Sequence, residues 1–216
     1  MDIKKSDFEN LPIWRAFLQE FKLTPEQANQ FAQYLIMLKE SNELFNLTAI
    51  TAPADIIAQH FQDSLVISKF IDFTRIKMIA DVGTGAGFPG LPLKILFPEL
   101  EVVLIEVTQK KIDFLHEVIE RLQIKKCRNF DMDWRTILRK TNEPIDLFVS
   151  RASLHTDELM RVFKPGCVYK KSRVVYWASK DWHISPIEQP FFEKEEAYTI
   201  QNKHRRLIFF AAPFDK

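Results

Sequence analysis

The sequence predicts an α/β protein, with a doubly wound, mostly parallel sheet of seven strands behind a helical N-terminal extension. Three observations carry that reading. From about residue 75, short apolar runs alternate with amphipathic stretches, the pattern of β-α-β units whose strands are covered on both faces. The residues before that point have helical spacing and few strand signals. Four of the five glycines fall within residues 83–90, directly after the first apolar run. Glycine lets backbone approach a ligand or take a positive φ, and a sheet of this kind meets its ligand at such a turn.

Residues 8–21 set Phe8, Leu11, Ile13, Trp14, Phe17, Leu18 and Phe21 at helical spacing. Thr24-Pro25-Glu26-Gln27 is a helix start: Thr as N-cap, Pro in the first turn, Gln closing a capping box. That helix is expected to run to about Lys39, burying Phe31, Tyr34, Leu35 and Leu38, with residues 41–52 as a loop. A third helix is expected from Pro53 to Ile71, with Ile56, Ile57, His60, Phe61, Leu65 and Ile67 inward. Strands are expected at 76–82, 101–106, 125–130, 144–150 and 174–178, with helices at 91–96, 110–122, 134–139 and 157–163. Two further strands, 191–200 and 205–211, follow each other without a helix, which predicts an antiparallel edge. The expected division is 1–72 as the extension and 73–216 as the ligand-binding domain, packed as one unit.

Composition narrows the class. Hydrophobic residues make up 46% of the chain, enough for a sizeable core. No apolar run approaches the roughly 18 residues of a membrane span. The polar start Met1-Asp2-Ile3-Lys4-Lys5 is no signal peptide, so a cytoplasmic protein is expected, without membrane contact. Cys127 and Cys167 are too few for a disulfide framework and have no metal-ligand spacing around them, so no metal is expected. The net charge is +1, but residues 161–216 hold 11 basic and 6 acidic side chains, a net +5. That bias permits a polyanionic partner, and equally a solvated basic surface.

The glycine loop reads Asp81-Val82-Gly83-Thr84-Gly85-Ala86-Gly87-Phe88-Pro89-Gly90. A nicotinamide fingerprint needs glycine where Phe88 stands, and a phosphate-cradling P-loop needs a following Gly-Lys-Ser/Thr. An acid before the first glycine repels phosphate and suits an ammonium. Glu106, nineteen residues after Gly87 at the end of the second strand, is placed to accept ribose hydroxyls. An amino acid, a ribose and no phosphate together describe S-adenosyl-L-methionine, held by Asp81, Gly83, Gly85, Gly87 and Glu106.

In order along the chain come Phe45-Asn46-Leu47-Thr48, His60-x-x-Asp63-Ser64-Leu65, the glycine loop extended through Leu91-Pro92-Leu93, Lys111-x-x-Phe114-Leu115, and Ser150-Arg151-Ala152. This series resembles the bacterial small-subunit ribosomal RNA methyltransferase G family, from about residue 25 to the end. The resemblance implies a Rossmann-like class I methyltransferase fold. It implies methyl transfer from S-adenosylmethionine to N7 of a guanosine in 16S rRNA; the expected partner is that RNA or the small ribosomal subunit, with no DNA partner, and a monomer is expected. Carried over by position, the family's cofactor contacts fall on Gly83, Phe88, Arg135, Thr136 and Arg151. The chain departs from the family pattern where Arg-x-Glu is usual, reading Trp134-Arg135-Thr136, which leaves Asp131 or Asp133 to supply a carboxylate. It departs again at Lys180-Asp181, where Lys-Gly is usual.

Guanine N7 carries a lone pair and no proton, so attack on a sulfonium methyl needs no general base, and no catalytic side chain is expected. Alignment and exclusion of water would do the work. Arg151 is expected at the sheet's carboxyl edge, on the cofactor carboxylate or an RNA phosphate, or in a structural ion pair. Asn46, His60 and Asp63 would shape the base pocket, with a purely helix-packing role for His60 and Asp63 as the alternative. Lys180 and Arg205 belong to a basic set, with Lys170, Lys171, Arg173, Lys203, His204 and Arg206, suited to an RNA backbone. Two other functions stay open: a methyltransferase for another RNA or a small molecule, and a non-catalytic RNA-binding or ribosome-assembly protein on the same fold.

Overall fold

The computed structural model describes residues 4–151 and 154–213, so Ala152 of the Ser-Arg-Ala motif lies outside the described residues. Seven strands form one sheet: β1 (Met78–Val82), β2 (Glu101–Ile105), β3 (Cys127–Phe130), β4 (Leu147–Arg151), β5 (Arg173–Ala178), β6 (Phe192–Ile200) and β7 (Lys203–Phe210). Their order is β3-β2-β1-β4-β5-β7-β6. The first five run parallel, and β7 inserts antiparallel between β5 and β6. Every residue of β1 is buried, as expected for a central strand covered on both faces. The chain changes direction across the sheet between β1 and β4, the switch point where folds of this type open a crevice. Asp81 pairs with Leu104 on one side and Val149 on the other, so the carboxyl ends of three strands meet there.

One face of the sheet carries the helices Gly90–Leu96 and Gln109–Arg121 and, over them, the N-terminal helices. That layer is built from aromatic rings. Phe17 meets Phe31 edge-on at 5.0 Å, Phe31 meets Phe61 at 5.0 Å, and Tyr34 stacks on Phe88 at 5.3 Å. Burying each such ring is worth roughly 1.5–3 kcal/mol, and together they fuse the first helices to the core of the sheet. The opposite face holds Trp134, Ile137, Leu159, Val162 and Tyr169 against Phe148 and Ile208.

The helix Pro25–Phe45 starts as its sequence dictates: Gln27 N donates to Thr24 Oγ1 at 3.2 Å, and Thr24 N to Gln27 Oε1 at 2.9 Å. It ends six residues beyond Lys39. Glu40, Ser41, Asn42 and Glu43 show no apolar period because that last stretch faces solvent, and Asn46, in the left-handed conformation at φ 52°, stops it. The third helical run spans residues 53–69 but changes pitch, with a π turn over Ile57–Gln62 and a 3-10 turn over Val66–Lys69. Among the described residues no helix is long and apolar enough to cross a membrane.

Candidate active site

The glycine loop follows β1 and closes on the helix Gly90–Leu96. Gly83, Gly85 and Gly87 all have positive φ, 67°, 62° and 101°. Gly83 N and Thr84 N both donate to Ile105 O, at 2.9 and 3.1 Å, so the loop leans on the end of β2. Gly87 is needed for space as well: a Cβ there would lie 2.5 Å from Leu91 Cδ1 and from the Tyr34 hydroxyl, which itself donates to Ala86 O. Gly85 is different. A Cβ there would meet nothing within 4 Å, because its backbone faces open space.

Asp81 serves the loop rather than the cleft. Its Oδ2 accepts from Gly90 N at 2.7 Å and from Thr84 Oγ1 at 2.6 Å. The side chain is fully buried under the loop, and Oδ1 has no partner. Burial pushes this carboxyl up to about 6, against the lowering effect of the Thr84 and Gly90 bonds. Asp81, expected at a ligand ammonium, thus lies beneath the loop as a brace and outside the cleft lining: β1 is covered on both faces, so its side chains point into packed layers.

The loop opens onto a cleft of about 620 Å³. Glu106 forms one wall. Its Oε2 accepts from Gly85 N at 3.0 Å, and its Oε1 from Val107 N and Thr108 N at 3.0 and 2.9 Å. Lys111 Nζ lies 3.8 Å from Oε2. Three backbone donors fix the carboxylate in place while it still lines the cleft. Beyond it, Ile105, Val107 and Met132 offer an apolar surface of the kind a flat heterocycle fills.

The other wall comes from the N-terminal layer and from β4. Phe88 stacks on His60 with centroids 4.3 Å apart and planes at 7°, and the Arg151 guanidinium sits 5.2 Å from the Phe88 centroid. Arg151 donates to Asp63 Oδ2 at 3.1 Å, to Gln59 O at 3.0 Å and to His60 Nδ1 at 2.9 Å. Arginine cannot accept, so Nδ1 is the acceptor, and the neutral ring carries its proton on Nε2. That Nε2 lies 2.9 Å from Thr48 Oγ1, the acceptor for its proton. Burial first, then Arg151 and Arg205, lower the imidazole to about 3. Asp63 is almost wholly buried, and its Oδ1 accepts from Tyr198 on β6 at 2.7 Å, with Arg205 Nε on β7 at 3.9 Å. One carboxylate thus ties the helical run 53–69 to β4 and to the final hairpin. Arg151 lines the cleft and forms the ion pair at once, so the two readings of it are not exclusive.

The other expected residues divide. Gly83, Gly85, Phe88, Glu106, Arg151, His60, Asp63 and Arg205 line the cleft. Gly87 lies beneath it, against Leu91 and Tyr34. Asn46 caps a helix and lines a separate hollow with Leu38 and Ile56. Lys180 lines a second groove with Tyr198, His204, Arg205 and Arg206. Arg135 and Thr136 do not line the cleft. Arg135 pairs with Glu158 at 3.0 Å, and Thr136 bonds the Asp133 carboxylate that caps its helix. The cleft wall there is Met132, Asp133 and Trp134, with the Trp134 indole donating to Glu158 O at 2.7 Å. Sequence reading missed Gln59, Thr48 as the partner of His60, and Trp134 as cleft wall. Only Thr48 left a signal, its place in the Phe-Asn-Leu-Thr string. Among the described residues, no three His, Cys, Asp or Glu side chains gather where they could hold a metal ion.

The family model described as rRNA small subunit methyltransferase G matches residues 27–206. Three similar proteins, each called ribosomal RNA small subunit methyltransferase G, come from Desulfitobacterium hafniense, Bacillus pumilus and Macrococcus caseolyticus. They are 40%, 38% and 46% identical over 83%, 72% and 50% of this chain. The aligned segments span 72%, 67% and 45% of those relatives' own lengths. Among solved structures, a SAM-dependent methyltransferase from Aquifex aeolicus matches 80% of this chain and 97% of its own, with a TM-score of 0.53 and 14% identity. TrmN from Thermus thermophilus matches 81% of this chain and 52% of its own, with a TM-score of 0.54 and 13% identity. At such identity the likeness speaks for the fold alone, and it is the class I methyltransferase fold.

Proposed function

The chain belongs to the rRNA small subunit methyltransferase G family, and from that premise we propose that it transfers a methyl group from S-adenosylmethionine to N7 of a guanosine in 16S rRNA, as free RNA or within the small ribosomal subunit. One observation carries the cofactor reading. Gly85 has left-handed backbone and open space where a side chain would stand, and its N–H is bonded to a cleft-lining carboxylate. A backbone left bare beside Glu106 suits a ribose whose hydroxyls need an acceptor. No phosphate is implied, because Glu106 would repel one.

S-adenosylmethionine supplies an electrophilic methyl on a sulfonium when bound. Gly83 and Gly85 would line its amino-acid and ribose portions, and Glu106 would accept from the ribose. Val107 and Met132 would cover the adenine, with Asp133 and Trp134 taking the place expected of Arg135 and Thr136. Asp81 would act at one remove, by holding the loop. Phe88, stacked on His60 with the Arg151 guanidinium beside that pair, would present a rigid surface toward the base. Thr48, Gln59 and Arg205 would shape the base side of the cleft. N7 needs no proton removed, so neutral His60 has no acid–base task and serves as a hydrogen-bonded spacer. The groove of Lys180, His204 and Arg205, which shares Arg205 with the cleft, would take RNA phosphates. Residues before 73 close the cleft as a wall rather than as a separate catalytic unit. The protein works as a monomer in the cytoplasm.

The test is methyl transfer from tritiated S-adenosylmethionine to small ribosomal subunits or 16S rRNA from cells lacking this protein, followed by mapping of N7 methylation. Label on one 16S guanosine is the expected result. Cofactor binding without transfer to any 16S species would move the substrate elsewhere, and absence of cofactor binding in calorimetry would sink the enzyme reading.

A further inference from the structure

The helix Pro25–Phe45 ends in two exposed apolar side chains. Leu44 is 73% exposed and Phe45 46%, although Glu40 to Glu43 before them are polar. After Asn46 the chain turns back, and Leu47 and Thr48 enter the cleft wall. Val107 is 61% exposed while also lining the cleft, and Lys110, three residues on, places its ammonium 5.8 Å from the Phe45 ring centroid. Lys111, the next residue, lines the cleft beside Glu106. The rim therefore combines an exposed aromatic ring and a cation within reach of it, and each lies one or two residues along the chain from a cleft-lining residue, Phe45 from Leu47 and Lys110 from Lys111.

That combination fits one kind of occupant. Every nucleobase has a π face, and unpaired RNA bases stack on exposed aromatic rings while neighbouring cations meet the phosphates. We propose that Phe45 and Lys110 form a stacking platform for an unpaired RNA base beside the target nucleotide, with Lys110 meeting that strand's backbone. The proposal rests on the reading of the cleft as an RNA methyltransferase site. It explains why an aromatic side chain stays exposed at the end of an otherwise polar helix segment.

Binding of 16S rRNA and of small subunits is measured by filter retention for wild type, Phe45→Ala, Phe45→Trp and Lys110→Glu, with S-adenosylmethionine affinity measured in parallel by calorimetry. Phe45→Ala is expected to weaken RNA binding about 5- to 100-fold with cofactor affinity unchanged. Phe45→Trp is expected to match or exceed wild type, and Lys110→Glu to weaken RNA binding. Wild type irradiated with 5-iodouridine-substituted 16S rRNA is expected to cross-link through the peptide that contains Phe45. Unchanged RNA affinity in Phe45→Ala overturns the platform, as does a cross-link map that avoids that peptide. A loss of cofactor affinity alone would make the rim a cover for the cofactor. A wild type that self-associates in sedimentation, with Phe45→Ala monomeric, would make it a contact between copies. Either result overturns the proposal. If wild type methylates 16S rRNA and Phe45→Ala equals it, the platform alone fails. If wild type binds no 16S RNA, the platform and the proposed substrate fail together.

Discussion

Gly85 and Gly87, two residues apart in the same loop, show how a single Cβ separates stability from function. Gly85→Ala adds a methyl that meets no atom of the protein, so its cost is the left-handed backbone alone, about 1–2 kcal/mol. Gly87→Ala combines φ 101° with contacts of 2.5 Å to Leu91 and Tyr34, and is expected to cost roughly 3 kcal/mol or more. Urea unfolding should rank them in that order, while calorimetry should find S-adenosylmethionine binding abolished in folded Gly85→Ala. Retained affinity in Gly85→Ala would remove its backbone from the binding surface. His60 makes a pH prediction. Its folded value of about 3 lies below the ordinary 6.5, so below pH 6.5 the unfolded chain takes up a proton that the folded chain refuses. The contribution is complete above 6.5 and is lost as pH falls toward 3, at up to about 1.4 kcal/mol per pH unit. The stability difference between wild type and His60→Gln should therefore shrink from pH 7 to pH 4. A difference independent of pH would mean that the ring is not held neutral.

At the scale of elements, the start of the helix Pro25–Phe45 was legible and its end was not. The capping box is a local bargain among four residues, so Thr24 and Gln27 announce it in sequence. Gln27 does more than its motif implies: its Nε2 donates to Ile95 O and Leu96 O, the last carbonyls of the helix behind the glycine loop. Thr24→Ala is expected to cost about 0.5–2 kcal/mol, the ordinary value of an N-cap. Gln27→Ala should cost more, by about 1–3 kcal/mol for the partners it strands, because two carbonyls lose their donor. Thermal unfolding of the two variants checks the ranking, and equal midpoints would show that the Ile95 and Leu96 bonds add nothing. The π turn over Ile57–Gln62 was not legible, since its apolar residues keep near-helical spacing. It belongs to the segment that brings Gln59, His60 and Asp63 to the cleft, and such turns recur at functional sites.

Across the whole molecule, Asp63 is the point where three distant segments meet. Arg151, Tyr198 and Arg205 converge on it from β4, β6 and β7. Asp63→Leu alone leaves Arg151 unpaired in a largely buried place and is expected to cost about 3–5 kcal/mol. The double variant Asp63→Leu/Arg151→Met should recover most of that loss, since an apolar pair of similar volume often replaces a buried ion pair without penalty. Methyl transfer should stay lost in the stable double variant, because the charge over Phe88 is gone. Recovery of activity together with stability would make the pair structural only. The seven strands, the parallel order of the first five and the antiparallel close were all expected from apolar runs and from the missing helix between the last two. The insertion of β7 between β5 and β6 had no local mark.

The sequence by itself determined the elements, the glycine loop, the carboxylate at the end of β2 and the family, because each of these is written in neighbouring residues or in a short fixed spacing. Tertiary structure alone decided which side chains face the cleft. It withdrew Asp81 into a brace, left Arg135 and Thr136 out of the cleft lining, put Trp134 and Gln59 in the wall, and joined Asp63 to a hairpin 135 residues further along the chain. The reason is physical: a strand or helix position fixes where a backbone goes, but the partner that satisfies a buried charge is chosen by what the folded chain brings beside it.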